Sequence, residues 1–204
     1  MSIRHHPDAA SLMSCSAGSM PEPLAAVMAA HVSLCPECRR ELGRMEHIGT
    51  TLFNAIAPAA IVGGAARPVQ ERPAIRDRLP DEVAEVLRPT GKKLPWRRIA
   101  PGLWYLPLAL SDGTAGRLQL IKAAPGVAMP EHGHTDSELT IILDGAYSDE
   151  TGAYGVGDVA DLDDTVEHRP VACPERGCIC LTATEGRSKF KGWIARLIAP
   201  LAGF

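Results

Sequence analysis

No uninterrupted apolar run in this sequence reaches the roughly 20 residues that a membrane-spanning helix needs. The stretch "GWIARLIAPLAGF" is too short and carries Arg196. The opening, "MSIRHHPDAASLMSC", lacks the apolar h-region of a secretory signal. Together these absences predict a cytoplasmic protein with no membrane association. A block of one charge is missing too. Lys and Arg number 21 against 24 Asp and Glu, for a formal net charge of -3, and both signs are interspersed. That balance excludes a polyanion-binding stripe, so no direct nucleic-acid binding is expected. Repeats of solenoid period and low-complexity tracts are absent. There is no nucleophile motif, and "GGAARP" lacks the strand-to-helix setting of a phosphate cradle.

What remains is a chain of 204 residues, 46% apolar, long enough for one large domain or two modest ones. Residues 1 to about 57 read as helical. "PLAAVMAAHVSL" places Leu24, Val27, Met28 and His31 at helical spacing among good helix formers. Pro36 ends that helix and suits the first turn of the next, where Leu42, Met45, Ile48 and Leu52 form an apolar stripe. "SAGSMPEP" separates an earlier short helix from this pair. Three short helices make a thin core unaided. A linker rich in Ala, Pro and Gly follows over about 58–78, and "PDEVAEVL" predicts one more short helix. After Leu94 the period becomes that of strands: "GLWYLPLAL", "GRLQLIKAA", "SELTIILDGAYSD", "YGVGDVADL" and "GCICLTAT" are separated by Gly, Asp and Pro turns. Strands without intervening helices predict an antiparallel sandwich or barrel. The expected architecture is α + β in two domains: a small all-α unit over 1–90, then an antiparallel β domain over 91–204.

Six cysteines in a cytoplasmic protein stay reduced unless they bind metal. In "HVSLCPECRRE", a C-x-x-C turn supplies Cys35 and Cys38, and His31 lies one helical turn before them. A redox dithiol normally follows a strand of a βαβ unit, a setting absent here. Zinc accepts four nitrogen and sulfur ligands in a tetrahedron. His31, Cys35 and Cys38 offer three, and His5, His6 and Cys15 are candidates for the fourth. A metal staple also relieves the small size of the helical unit. Cys178 and Cys180 alternate along one strand and are expected to be core thiols.

A second constellation lies in "GVAMPEHGHTDSELTIILDG". His132 and His134 are two apart, so they share one face of a strand. Glu138 follows a short turn, and His168 stands on a later strand. Three imidazoles and a carboxylate form a plausible shell for zinc, iron, manganese, nickel or copper. The spacing from Gly126 through His132, His134 and Glu138 to Gly145 resembles the first cupin motif. Gly157 and His168 match the second, although Asp163 and Thr165 stand where the family has Pro and Gly.

An early histidine, the HVSLCPEC turn and a following cupin pattern together resemble the ChrR-type zinc anti-sigma factors over nearly the whole chain. The resemblance implies a cupin barrel for the second domain. It also implies a helical zinc domain that binds an extracytoplasmic-function sigma factor and keeps it from core RNA polymerase. Its zinc ligands, carried over, are His6, His31, Cys35 and Cys38, with His5 the alternative to His6. The cupin domain would hold a second zinc or another divalent metal at His132, His134, Glu138 and His168, and take part in a response to singlet oxygen or related oxidants. Leu24, Val27, Met28, Leu42 and Met45 would then be shared between core and partner surface. The residues flanking the zinc and the helix near Asp81 to Leu87 would supply most of the sigma contacts. The chief rival reading is a cupin metalloenzyme of dioxygenase type. A CPEC dithiol oxidoreductase is a weaker one.

Overall fold

The structure, a computed structural model, describes residues 2–57, 79–185 and 188–190. The linker expected over 58–78 and the segment "GWIARLIAPLAGF" lie outside them. Four helices are present among the described residues: α1 (Ala9–Ser16), α2 (Glu22–Leu34), α3 (Pro36–Asn54) and α4 (Asp81–Leu87). Each of the first three starts where local chemistry favours a helix N-terminus. The Asp8 carboxylate accepts the Ser11 N–H at the head of α1, and Pro23 sits in the first turn of α2. Cys35 caps α3, its sulfur accepting the Cys38 N–H, with Pro36 as the first helical residue. No helix among the described residues is long and apolar enough to cross a membrane.

Eleven strands follow among the described residues: β1 (Arg97–Ala100), β2 (Leu103–Pro107), β3 (Arg117–Ala123), β4 (His132–His134), β5 (Glu138–Asp149), β6 (Gly152–Gly155), β7 (Val159–Leu162), β8 (Glu167–His168), β9 (Val171–Ala172), β10 (Cys178–Thr184) and β11 (Ser188–Phe190). The larger sheet runs β1-β2-β3-β10-β5-β6, with β7 and β9 also paired to β5; the smaller is β11-β4-β8. All of these pairings are antiparallel. The expected barrel is therefore corrected to two antiparallel sheets that do not close on each other. The reason lies in β4, which has three residues and uses both edges on β8 and β11, so it cannot bridge the ends of the larger sheet.

The central strands β3, β5 and β10 alternate as half-buried strands do. Leu118, Leu120, Leu139, Ile141, Leu181 and Ala183 face α2 in one apolar core. Gln119, Ile121, Thr140, Cys180 and Thr182 face a cavity on the other side. This alternation changes partway along β5 at Leu143, which the pairing with β10 skips, close to Gly145. Gly145 has φ +72°, a Cβ there would collide with the Gly177 carbonyl, and the β5–β10 register shifts beside it. Beyond that irregularity the odd-numbered Tyr147 lines the same cavity as Glu138 and Thr140.

Helix α2 is apolar all round, and Pro23 through Val32 are buried without a break. It packs on β10, β5 and β3 with one side and on α3 with another. Leu24, Val27, Met28 and Leu42 are thus core residues and present no surface to a partner. Helix α4 is likewise tied down: Val83 is buried, and the Glu85 carboxylate accepts the N–H groups of Thr90, Gly91 and Lys92. Met28 sits fully enclosed at the junction of helices and sheet. Met28→Ala is expected to cost about 2–5 kcal/mol, read as a lower urea midpoint. Tryptophan emission from Trp96 and Trp104 should report the same shift as far-UV ellipticity, because α2 and the sheet share one core.

Candidate functional site

Two clusters of ligand-type side chains lie on opposite sides of the large sheet. The first joins His6, His31, Cys35 and Cys38, whose ligand atoms all fall within 4.8 Å of one another. The His6 Nδ1 is 3.5 Å from the Cys35 Sγ and 3.3 Å from the Cys38 Sγ. His31 donates from Nδ1 to the Gly157 carbonyl at 2.9 Å, so Nε2 carries the lone pair. That buried Nε2 has no hydrogen-bond partner. An orphaned imidazole nitrogen beside two buried thiols is the donor set that a soft divalent metal takes. Burial holds His31 down at about 4, well below an ordinary histidine. Burial, with Cys35 alongside, pushes the Cys38 thiol up to about 12. Without a cation His31 is therefore neutral and Cys38 keeps its proton, which a metal would have to displace.

The histidine pair at the start of the chain is separated by the structure. His6 enters the cluster, whereas the His5 ring lies against Tyr154 with centroids 4.5 Å apart. Cys15 packs against the apolar core and is outside the cluster. The strap carrying both histidines is fastened to β7 and the turn before it. Asp158 accepts the N–H groups of Arg4 and His5, Val159 donates to the His5 carbonyl, and Asp161 accepts from Asp8 and Ser11. Gly157, at φ +89°, leaves room for Ile3 where a Cβ would stand.

The second cluster brings His132, His134 and His168 to within 4.8 Å, all three buried. Two of the rings are oriented from behind. His132 donates from Nδ1 to the Pro130 carbonyl and His168 from Nδ1 to the Asp149 carboxylate, at 2.9 and 2.8 Å. The Nε2 atoms of His134 and His168 stand 3.3 Å apart, too close for two protonated nitrogens to face each other and suited to sharing one ion. Glu138, the fourth residue expected here, is not part of that convergence. Its Oε2 is 3.3 Å from the other nitrogen of His134, Nδ1, and its Oε1 accepts from Thr140. The His134 Nδ1 makes no hydrogen bond despite this proximity, because the alignment is poor. Burial holds His132 at about 4 and His134 at about 3, and raises Glu138 to about 7. The turn at Asp163 and Thr165, where the cupin pattern has Pro and Gly, is closed instead by the Asp163 carboxylate accepting the Thr165 N–H.

His132, His168 and Glu138 open onto a cavity of about 50 Å³. Sequence reasoning missed Asp149 and Tyr147, which also belong to this region. Neither stands in a motif, and only the fold brings them beside His168 and the cavity wall. Cys178 and Cys180 line the apolar end, and the Cys178 thiol is held well above its usual range by Cys180 and by burial. No disulfide joins any of the six cysteines.

The lowered histidines make the metal-free protein acid-sensitive. His31, His132 and His134 bind protons more weakly folded than unfolded. Their stabilisation is present above about pH 6.5 and is lost as pH falls toward 4. Glu138, raised, acts oppositely between about 4.5 and 7, but it is one group against three. The chelated protein should therefore melt progressively lower from pH 6.5 to 4, and His134→Asn should flatten that slope. Thermal scans across pH measure both.

A family profile described as the ChrR cupin-like domain matches residues 86–186. The anti-sigma-E factor ChrR of Cereibacter sphaeroides is 36% identical over 213 residues, covering 98% of each chain. Among solved structures, the crystal structure of Rhodobacter sphaeroides SigE in complex with the anti-sigma ChrR superposes with a TM-score of 0.73. It is 34% identical and covers 90% of this chain and 99% of that one. Similarity of that degree along essentially the whole length means that this chain belongs to the ChrR family.

Proposed function

We propose that this protein is a cytoplasmic anti-sigma factor. Its helical part, residues 1–90, retains an extracytoplasmic-function sigma factor. Zinc at His6, His31, Cys35 and Cys38 holds that part in its binding shape. The cupin-like part, residues 91–204, carries zinc or another divalent metal at His132, His134 and His168, with Glu138 alongside, and answers an oxidant. The solved complex of a relative with its sigma factor supports the choice of partner.

One observation on this chain carries the reading: an apolar face on α3 that nothing among the described residues covers. Ile48, Leu52 and Phe53 are 59%, 64% and 77% exposed, with Met13 of α1 at 61% beside them. With Met45 and Gly49 they border a groove. Exposed large hydrophobics gathered on one helix mark a surface made for a partner. It adjoins the metal cluster through α3 itself, whose first turn holds Cys38. Of the residues expected to be shared with a partner, Met45 borders this face, and Ile48 and Leu52 extend it along α3 in place of α2 and α4.

The β6–β7 turn supplies a physical route between the two parts. Gly157 accepts from His31, and Asp158 and Val159 hold His5 next to His6. On the other side, His5 packs on Tyr154, which packs on Tyr147 at the cavity wall. A change in the cavity that moves Tyr147 would press on the strap that delivers His6.

Leu52→Asp combined with Phe53→Asp should abolish co-purification with the sigma factor while leaving the melting temperature and metal content near wild type. Retention of the sigma factor by that variant would remove the α3 face from the account. Metal analysis should find that Cys38→Ser and His134→Ala each lose about one equivalent, as two independent sites require. The metalloenzyme reading draws on the cavity against the histidines. Oxygen uptake by an iron- or nickel-loaded sample on a small substrate would favour it, and zinc loading without turnover would count against it.

A further inference from the structure

The cavity beside the three histidines holds a polar group that neither the fold nor the proposed metal uses. Tyr147 is 6% exposed, its ring is clamped 5.0 Å from that of Tyr154, and it lines the cavity. Its hydroxyl is buried and makes no hydrogen bond among the described residues. A buried hydroxyl is normally paired, so one left unpaired at a cavity wall is poised for a guest.

The walls state what kind of guest. Register along β3 and β10 grades the cavity. Arg117 and Gln119 oppose Thr184 and Thr182 at one end, and Ile121 and Ala123 oppose Cys180 and Cys178 at the other. Val127, Met129, Pro170 and Ala172 complete the apolar end. Carboxylates already stand next to the histidines: Glu138 in the wall and Asp149 behind His168. Arg117 stands at the polar end only, so an anion seated among the aliphatic groups would be stripped of water without a partner, whereas an uncharged oxygen suffers far less. The enclosed space is small, about 50 Å³, so only a compact molecule fits.

We propose that this cavity binds a small, uncharged, largely apolar molecule bearing a carbonyl oxygen, and that Tyr147 donates its hydroxyl hydrogen to that oxygen. The assignment gives a ligand class to the sensing role proposed above and rests on that role for its consequence. Binding itself is measured without a sigma factor, so failure of one idea is distinguishable from failure of the other.

The test uses the full zinc-loaded chain with 2-heptanone as probe and hexanoate as the anionic control of similar size, followed by calorimetry and thermal melting. The ketone should bind, raise the melting temperature and outcompete hexanoate. Tyr147→Phe keeps the ring and should weaken ketone binding about tenfold, the loss of one hydrogen bond. Ala123→Leu, which fills the apolar end from a half-buried position, should weaken it as well. The proposal is overturned by no detectable ketone binding to the wild type, by unchanged affinity in Tyr147→Phe, or by tighter binding of hexanoate than of the ketone. Sigma retention by the same samples, assayed in parallel, reports separately on the anti-sigma reading.

Discussion

Burial of α2 is the constraint on which the rest of this structure depends. A helix built from Pro23 through Val32 with no polar face has no stable place at a surface, so it must be enclosed. The enclosing walls are the sheet strands β3, β5 and β10 with α3. Enclosure fixes both ends of the helix. At its C-terminal end His31 meets the β6–β7 turn, and Cys35 ends α2 and opens α3. The thiols of Cys35 and Cys38 therefore occupy a place set by the same packing that holds the sheet together. Small residues along α2, mostly alanine, let it approach the sheet closely, and Met28 fills the remaining space.

Both clusters are built by one rule. A buried imidazole gives its Nδ1 hydrogen to an oxygen behind it and leaves Nε2 facing the cluster. For His31 the oxygen is the Gly157 carbonyl, for His132 that of Pro130, and for His168 the Asp149 carboxylate. The arrangement settles ring orientation and tautomer before any ion arrives, which lowers the entropy lost on binding. His6 departs from the rule by facing the thiols through Nδ1, and His134 departs with its Nδ1 against Glu138 and no hydrogen bond made. That departure leaves His134 the least anchored ring of the three, next to a carboxylate that burial keeps reluctant to ionise.

Besides the unpaired ring nitrogens of His31 and His134, two places among the described residues stand without an internal partner, on opposite sides of the sheet. One is the α3 face at Ile48, Leu52 and Phe53, and the other is the Tyr147 hydroxyl in the cavity. Between them runs a continuous set of contacts through Tyr154, His5 and the strap bound by Asp158 and Asp161. Natural proteins carry exposed apolar faces and unpaired buried hydroxyls at a stability cost, and such places are where function concentrates. The family relationship, with a relative solved in complex with its sigma factor, agrees with a molecule that meets a partner at one end.

Much of this was legible in the sequence because it is local. Helical periodicity and proline placement located α1, α2, α3 and α4, and alternation with Gly and Asp turns located β2, β3, β5, β7 and β10. The four-residue C-x-x-C turn and the H-x-H pair also bring their atoms together through short-range geometry alone. What the tertiary structure decided depends on contacts between distant segments. It chose His6 over the adjacent His5, because the strap lies along β7 and turns one ring to the thiols and the other to Tyr154. It put the α2 stripe inside and the end of the α3 stripe outside, a distinction invisible to a periodicity that both helices share. It left the two sheets unclosed, since the three residues of β4 have both edges occupied. It moved Tyr147 onto the cavity face through the irregularity at Leu143, where a single register shift reverses the parity of the side chains beyond it.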